Sequence, residues 1–175
     1  MTPELPFVEP TARDALRRAV AQLDEAEMQA RPFEMSQALA AVARCYRDLR
    51  ALASAEATFA AALRWAHHAG SRDHAVELLC ELAETAAAHL RADSGPHESD
   101  GRLQHAARDR ARDHAFEAAR LAGQVADPGW EVQVLLRASR VLEGCGDHVD
   151  AQRLQQRAQQ RRGGSAGAPS DLSPH

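Results

Sequence analysis

Two short segments hold the side chains best suited to metal or acid–base chemistry. Asp73-His74-Ala75-Val76-Glu77 and Asp113-His114-Ala115-Phe116-Glu117 each place a histidine and a glutamate three residues apart, on one face of a helix. Helical di-iron sites use the reverse order, Glu-x-x-His, on paired helices with further glutamates. The two segments also fall in different phases of an internal repeat, so they are not expected to face one another. His67-His68 and His97 fall at predicted loops. No metal or other cofactor is predicted. A nucleophile elbow, a phosphate-cradling Gly-rich loop and an HExxH pair are absent, so no catalytic residue is assigned and the chain reads as a non-enzyme.

Cys45, Cys80 and Cys145 each lie on a different predicted helix. An odd number without CxxC spacing fits neither a disulfide framework nor a zinc site; they read as small buried apolar residues. Arg108-Asp109-Arg110-Ala111-Arg112-Asp113 interleaves both signs of charge and reads as a salt-bridged exposed face. The net charge is −4, with no aromatic platforms beside the arginines, so neither nucleic acid nor an anionic membrane is an expected partner.

The elements that must position these residues are helices. Ala, Leu, Glu, Arg and Gln dominate the 175 residues and aromatics make up only 4%, a composition that favours helix and leaves little from which to build a sheet. Lysine, asparagine and isoleucine are absent; their AT-rich codons point to a GC-rich bacterial genome. No apolar run approaches the roughly 20 residues needed to span a bilayer. Met1 to Pro10 lacks the basic start and apolar core of a secretory signal, and the expected location is the cytoplasm.

Two patterns recur. Ala55/Phe59/Ala62, Ala111/Ala115/Ala118 and Ala151/Gln155/Ala158 share one spacing; Leu39/Val42/Ala43/Tyr46, Leu79/Leu82/Ala83/Ala86 and Leu135/Ala138/Ser139/Leu142 share another. From Ala55 to Leu79 and from Ala111 to Leu135 the step is 24 residues, and the same step back from Leu39 reaches Ala15. One 16-residue excess between Ala86 and Ala111 interrupts the phase. It places an exposed loop over residues 92–101 and lengthens the helices on either side.

Seven helices follow. The first starts after Thr11, in capping-box spacing with Asp14, and ends near Ala30 before Pro32. Pro32 opens the second. Ser54 caps the third, which Gly70 stops. The fourth runs from about Arg72 to Leu90 and the fifth from Arg102 to Val125. Asp127-Pro128 opens the sixth, Gly144-Cys145-Gly146 breaks it, and Asp147 caps a polar seventh. Residues 1–10 form an N-terminal extension, 11–162 the helical domain, and 163–175 a Gly/Ser/Pro-rich tail expected to be disordered.

Helical pairs with small residues at a fixed interval resemble the tetratricopeptide repeat (TPR), whose usual period is near 34 residues. Leu39, Val42, Ala43 and Tyr46 match its first helix, and Ala55, Phe59 and Ala62 its second; Leu135, Ala138, Leu142, Gly146-Asp147, Ala151 and Ala158 match again in the last repeat. Ala43, Ala83 and Ser139 replace a customary glycine, Arg50 stands where a turn glycine is common, and Gln155 replaces an aromatic. The resemblance implies an all-α, right-handed superhelix (a TPR-like solenoid) of about seven antiparallel helices, ended by the polar seventh helix.

The resemblance further implies a scaffold that binds a protein or peptide in a concave groove lined by each hairpin's first helix. The groove positions carried over are Gln37, Ala40, Arg44, Arg47 and Asp48, then Glu77, Cys80 and Glu84, then Gln133, Leu136, Arg140 and Glu143. The family's clamp for chaperone C-terminal carboxylates needs Asn and Lys in the groove, and the chain has neither. The first predicted helix lacks a hairpin partner and leaves Leu16, Val20 and Leu23 to be covered by Leu5, Phe7 and Val8 or by a second copy. The alternatives are therefore a helical homodimer serving as a regulatory or sensory module in bacterial signalling and, behind it, a helical-bundle metal-dependent enzyme.

Overall fold

A computed structural model describes residues 11–92, 101–125 and 127–165 of the chain. Among these residues there are seven helices and no strand: α1 (Ala12–Gln29), α2 (Pro32–Asp48), α3 (Leu52–His68), α4 (Arg72–Ala92), α5 (Gly101–Ala122), α6 (Pro128–Gly144) and α7 (His148–Ser165). The fold is all-α, as the composition predicts. The chain forms two compact units, divided between Ala69 and Gly70.

In the first unit α1 packs on α2 and α2 on α3. Both halves of the predicted capping box are present: the Asp14 amide donates to Thr11 Oγ1 and the Thr11 amide to Asp14 Oδ2, each at 3.3 Å. The Thr11 hydroxyl also donates to Asp14, which holds that carboxyl below its ordinary pKa. Ala26, Met35 and Ala38 form the α1–α2 core, with Leu23 against it. Ala55, Phe59, Ala62 and Ala66 of α3 are fully buried. Small side chains let backbones approach here closely enough for the buried Ser36 hydroxyl of α2 to donate to the Ala62 carbonyl at 2.7 Å.

The α2–α3 turn departs from expectation. Helix α3 starts at Leu52 after Ala51, with no side-chain cap, and Ser54 lies inside it, where its carbonyl accepts from Thr58. The reason is the end of α2. The Ala51 amide donates to the Tyr46 carbonyl and the Arg50 amide to that of Arg47, the bonds of a Schellman motif. That motif needs a left-handed residue, and Arg50 supplies it at φ 62°. Its hydrogen bonds compel the turn three residues earlier than Ser54. Helix α6 ends in the same motif with Gly146 (φ 83°) in that position, Asp147 donating to Leu142 and Gly146 to Glu143.

In the second unit α4, α5, α6 and α7 share one core. Ala83, Ala86 and Ala87 meet Ala111, Ala115 and Ala119, Leu135, Ala138 and Leu142, and Ala151, Leu154 and Ala158. Consecutive helices pack together, and α4 also packs directly on α6. Helices α4 and α5 have 21 and 22 residues against 17 or 18 for the rest, which is where the predicted lengthening falls. Ala92 belongs to α4 and Gly101 opens α5; the remainder of the predicted loop lies outside the described residues, as do the N-terminal extension and the tail beyond Ser165. Asp127 caps α6 as expected, accepting from the Gly129 and Trp130 amides at 2.8 and 3.2 Å.

Candidate functional site

Glu77, Cys80 and Glu84 stand at i, i+3 and i+7 on α4, one stripe of a helix. Across from them α6 presents Trp130, set in its first turn by the Asp127 cap, and Arg137 two turns on. Trp130 Nε1 donates to Glu77 Oε1 at 3.1 Å, and Arg137 Nη1 to Glu77 Oε2 at 2.7 Å. Arg137 Nε and Nη2 donate to Glu84 Oε1 and Oε2 at 2.8 and 3.1 Å. One guanidinium thus spans both carboxylates, the planar bidentate geometry that Arg offers and Lys does not.

The hydrogen bond to Glu84 pushes the Arg137 pKa above its ordinary value. Cys80 sits between the two glutamates and is buried, and burial pushes its thiol up to about 12, against the opposing pull of Arg137. Its thiol stays protonated at neutral pH, which leaves it without the thiolate that nucleophilic chemistry needs.

The structure brings Glu77 and Glu84 together through Arg137, a residue the groove pattern omitted. Both acids are half-buried partners in an interhelical cluster rather than an open acidic stretch. No local pattern announces Arg137; its partners lie 53 and 60 residues away. On α6, Gln133, Arg140 and Glu143 are exposed and Leu136 is half-buried. Arg140 joins Glu84, Ala87, Arg91, Arg137 and Val141 around a cavity of about 170 Å³.

Among the carried-over positions of α2, Gln37, Arg44 and Asp48 are exposed and Ala40 is fully buried. Arg47 does not project freely, because its guanidinium lies 5.7 Å from the Phe59 ring centroid, across the hairpin. Cys80 and Cys145 are buried and Cys45 is half-buried, all three as free thiols.

Two further ion clusters were not evident in the sequence. Glu131 of α6, only 2% exposed, accepts from Arg157 Nη2 at 2.6 Å and lies 2.9 Å from Arg161 Nε, so the polar α7 is bound to α6 by charge as well as by Ala151, Leu154 and Ala158. Arg112 Nε lies 2.7 Å from Asp147 Oδ2, and Arg108 Nη2 lies 3.8 Å from Oδ1. The 2.7 Å contact lacks hydrogen-bond alignment and is an ion pair. Arg108 and Arg112 are therefore half-buried links from α5 to the α6–α7 turn rather than members of an exposed salt-bridged face.

Among the described residues no group of three or more His, Cys, Asp or Glu is placed to hold a metal ion, and no helix is long and apolar enough to cross a membrane.

The described residues thus define an all-α chain of packed helical hairpins with an arginine-bridged α4–α6 face. No family model and no curated protein matches the sequence. Among solved structures the chain is similar in fold to BtubC (BKLC) from P. vanneervenii, at a TM-score of 0.69 and 16% identity, over 94% of this chain and 61% of that one. It spans about three-fifths of that protein's length. It is also similar to the DHF58 filament, at a TM-score of 0.52 and 22% identity, over 89% of this chain and 82% of that one.

Proposed function

We propose that this chain is a non-enzymatic, TPR-like scaffold of the bacterial cytoplasm that binds a peptide or protein segment along the first helices of its hairpins. The observation that carries the reading is the packing of α4 directly on α6, alternate helices held side by side by Arg137, Glu77 and Glu84. That is the neighbour relation of stacked hairpins, each contacting the next. It leaves Gln133, Arg140 and Glu143 exposed in one row on α6. The pairing of Glu77 and Glu84 with Arg137 and the protonated Cys80 favour a structural use of these groups over a catalytic one. A right-handed, TPR-like solenoid belongs to this proposal.

A photo-crosslinking residue at position 133, with a control at position 152 on the outer α7, tests it in the producing cell. The reading expects one discrete adduct from position 133 and none from position 152. Adducts from neither position, or the same adducts from both, contradict it.

A second reading, the homodimer, is favoured by α1. Its Leu16 and Leu23 are half-buried and Val20 is 39% exposed, and one fold neighbour is a filament. Light scattering that finds a dimer lost on Val20→Glu supports it; a monomer at every concentration removes it.

A further inference from the structure

The cavity between the C-terminal halves of α4 and α6 is unusual in its chemistry for a chain whose net charge is −4. Its floor is apolar, with Ala87 2% and Val141 5% exposed. Its rim carries three guanidinium groups, Arg91, Arg137 and Arg140, against one carboxylate, Glu84. That carboxylate is already matched by the Arg137 fork. Arg91 and Arg140 are exposed, and Arg91 Nη1 lies 3.6 Å from where a side chain on Gly144 would begin, so the last turn of α4 leans its charge over the end of α6.

At about 170 Å³ the space is smaller than the roughly 300–1,000 Å³ of pockets that enclose a whole small ligand. That leaves room for a single side chain rather than a whole ligand. All three nitrogens of Arg137 are taken up by Glu84 and Glu77, so the forks that face an incoming group are those of Arg91 and Arg140. Arginine forks match planar oxyanions and lose little freedom in doing so.

We infer that this cavity receives the carboxylate of an aspartate or glutamate from an acidic peptide segment of the partner, with Arg140 and Arg91 closing on it above the apolar floor. The inference rests on the scaffold reading above and specifies its ligand chemistry.

The test is fluorescence anisotropy of the full chain with a labelled ten-residue peptide rich in Asp and Glu, a Gln/Asn version of it, and a phosphoserine version. Arg91→Ala/Arg140→Ala is compared with Arg153→Ala/Arg162→Ala on α7. The expected result is binding of the acidic peptide, weakened at least tenfold by Arg91→Ala/Arg140→Ala and less than twofold by the α7 pair. The Gln/Asn peptide should not bind, and affinity should fall as salt rises. No binding of the acidic peptide, equal losses in both double variants, or binding of the phosphopeptide alone overturns the inference. A crosslinked partner at position 133 that survives Arg91→Ala/Arg140→Ala leaves the scaffold reading standing and removes only this site.

Discussion

Arg137 on α6 grips Glu84 on α4 with a two-pronged fork, Nε to Oε1 at 2.8 Å and Nη2 to Oε2 at 3.1 Å. With its remaining nitrogen on Glu77, the same side chain joins the two helices at two levels. Both partners are partly buried, Arg137 at 25% and Glu84 at 36% side-chain exposure, so the pair is less screened than a surface salt bridge. A double-mutant cycle with Arg137→Ala and Glu84→Ala should give a coupling of about 1–2 kcal/mol in urea unfolding. Arg137→Lys should recover less than half of it, because an ammonium cannot fork. A coupling near zero would mean the pair is solvated and the α4–α6 contact rests on apolar packing alone.

Arg50 and Gly146 occupy the same position of the same helix-ending motif, both left-handed. Only glycine adopts that backbone without a steric cost of about 1 kcal/mol. Arg50→Gly should therefore raise stability by about 0.5–1 kcal/mol, while Gly146→Ala should lower it by a similar amount. Thermal melts of the two variants check the pair; destabilisation by Arg50→Gly would show that its side chain makes a contact worth more than the backbone strain.

A methyl group added to Gly123 at the end of α5 would collide with Nη2 of Arg157, the atom that donates to buried Glu131. Gly123→Ala should displace that arginine, leave Glu131 to Arg161, and cost about 1–3 kcal/mol. The loss should be concentrated in α7: hydrogen exchange there should accelerate while α4 stays protected. Uniform acceleration through the unit would contradict this local account.

Burial raises the Cys80 thiol to about 12 from an ordinary value near 9.0. The folded state therefore holds this proton more tightly than the unfolded chain. The associated stability is fully present below about pH 9 and is lost as pH climbs toward about 12. The stability margin of wild type over Cys80→Ala should narrow between those limits, and iodoacetamide at about pH 8 should label half-buried Cys45 well before Cys80. A constant margin, or equal labelling, would contradict the burial.

The parts of this fold that can be read from sequence are those with local causes. Thr11 and Asp14, Pro32, Asp127-Pro128, Gly70 and Gly146 mark helix ends because capping and φ restrictions act within a few residues. The start of α3 was misplaced for the same reason. Ser54 carries a capping signal, whereas the decisive event is Arg50 adopting a conformation it disfavours, driven by hydrogen bonds back to Tyr46 and Arg47. The interhelical ion clusters were not legible. Glu77, Glu84 and Arg140 are named only through the resemblance to the TPR, whereas Arg137 and buried Glu131 take their roles from partners on other helices. Their charge invites placement in solvent, and only tertiary packing reverses it.

Charge reversal on the first-helix faces tests whether a partner binds there. Wild type, Arg44→Glu/Arg140→Glu and the α7 control Arg153→Glu should be compared in quantitative pull-downs from the native host, with folding checked by circular dichroism. Partners recovered by wild type and by the control should be lost with Arg44→Glu/Arg140→Glu. An unchanged set of partners with that double variant would contradict binding on these faces.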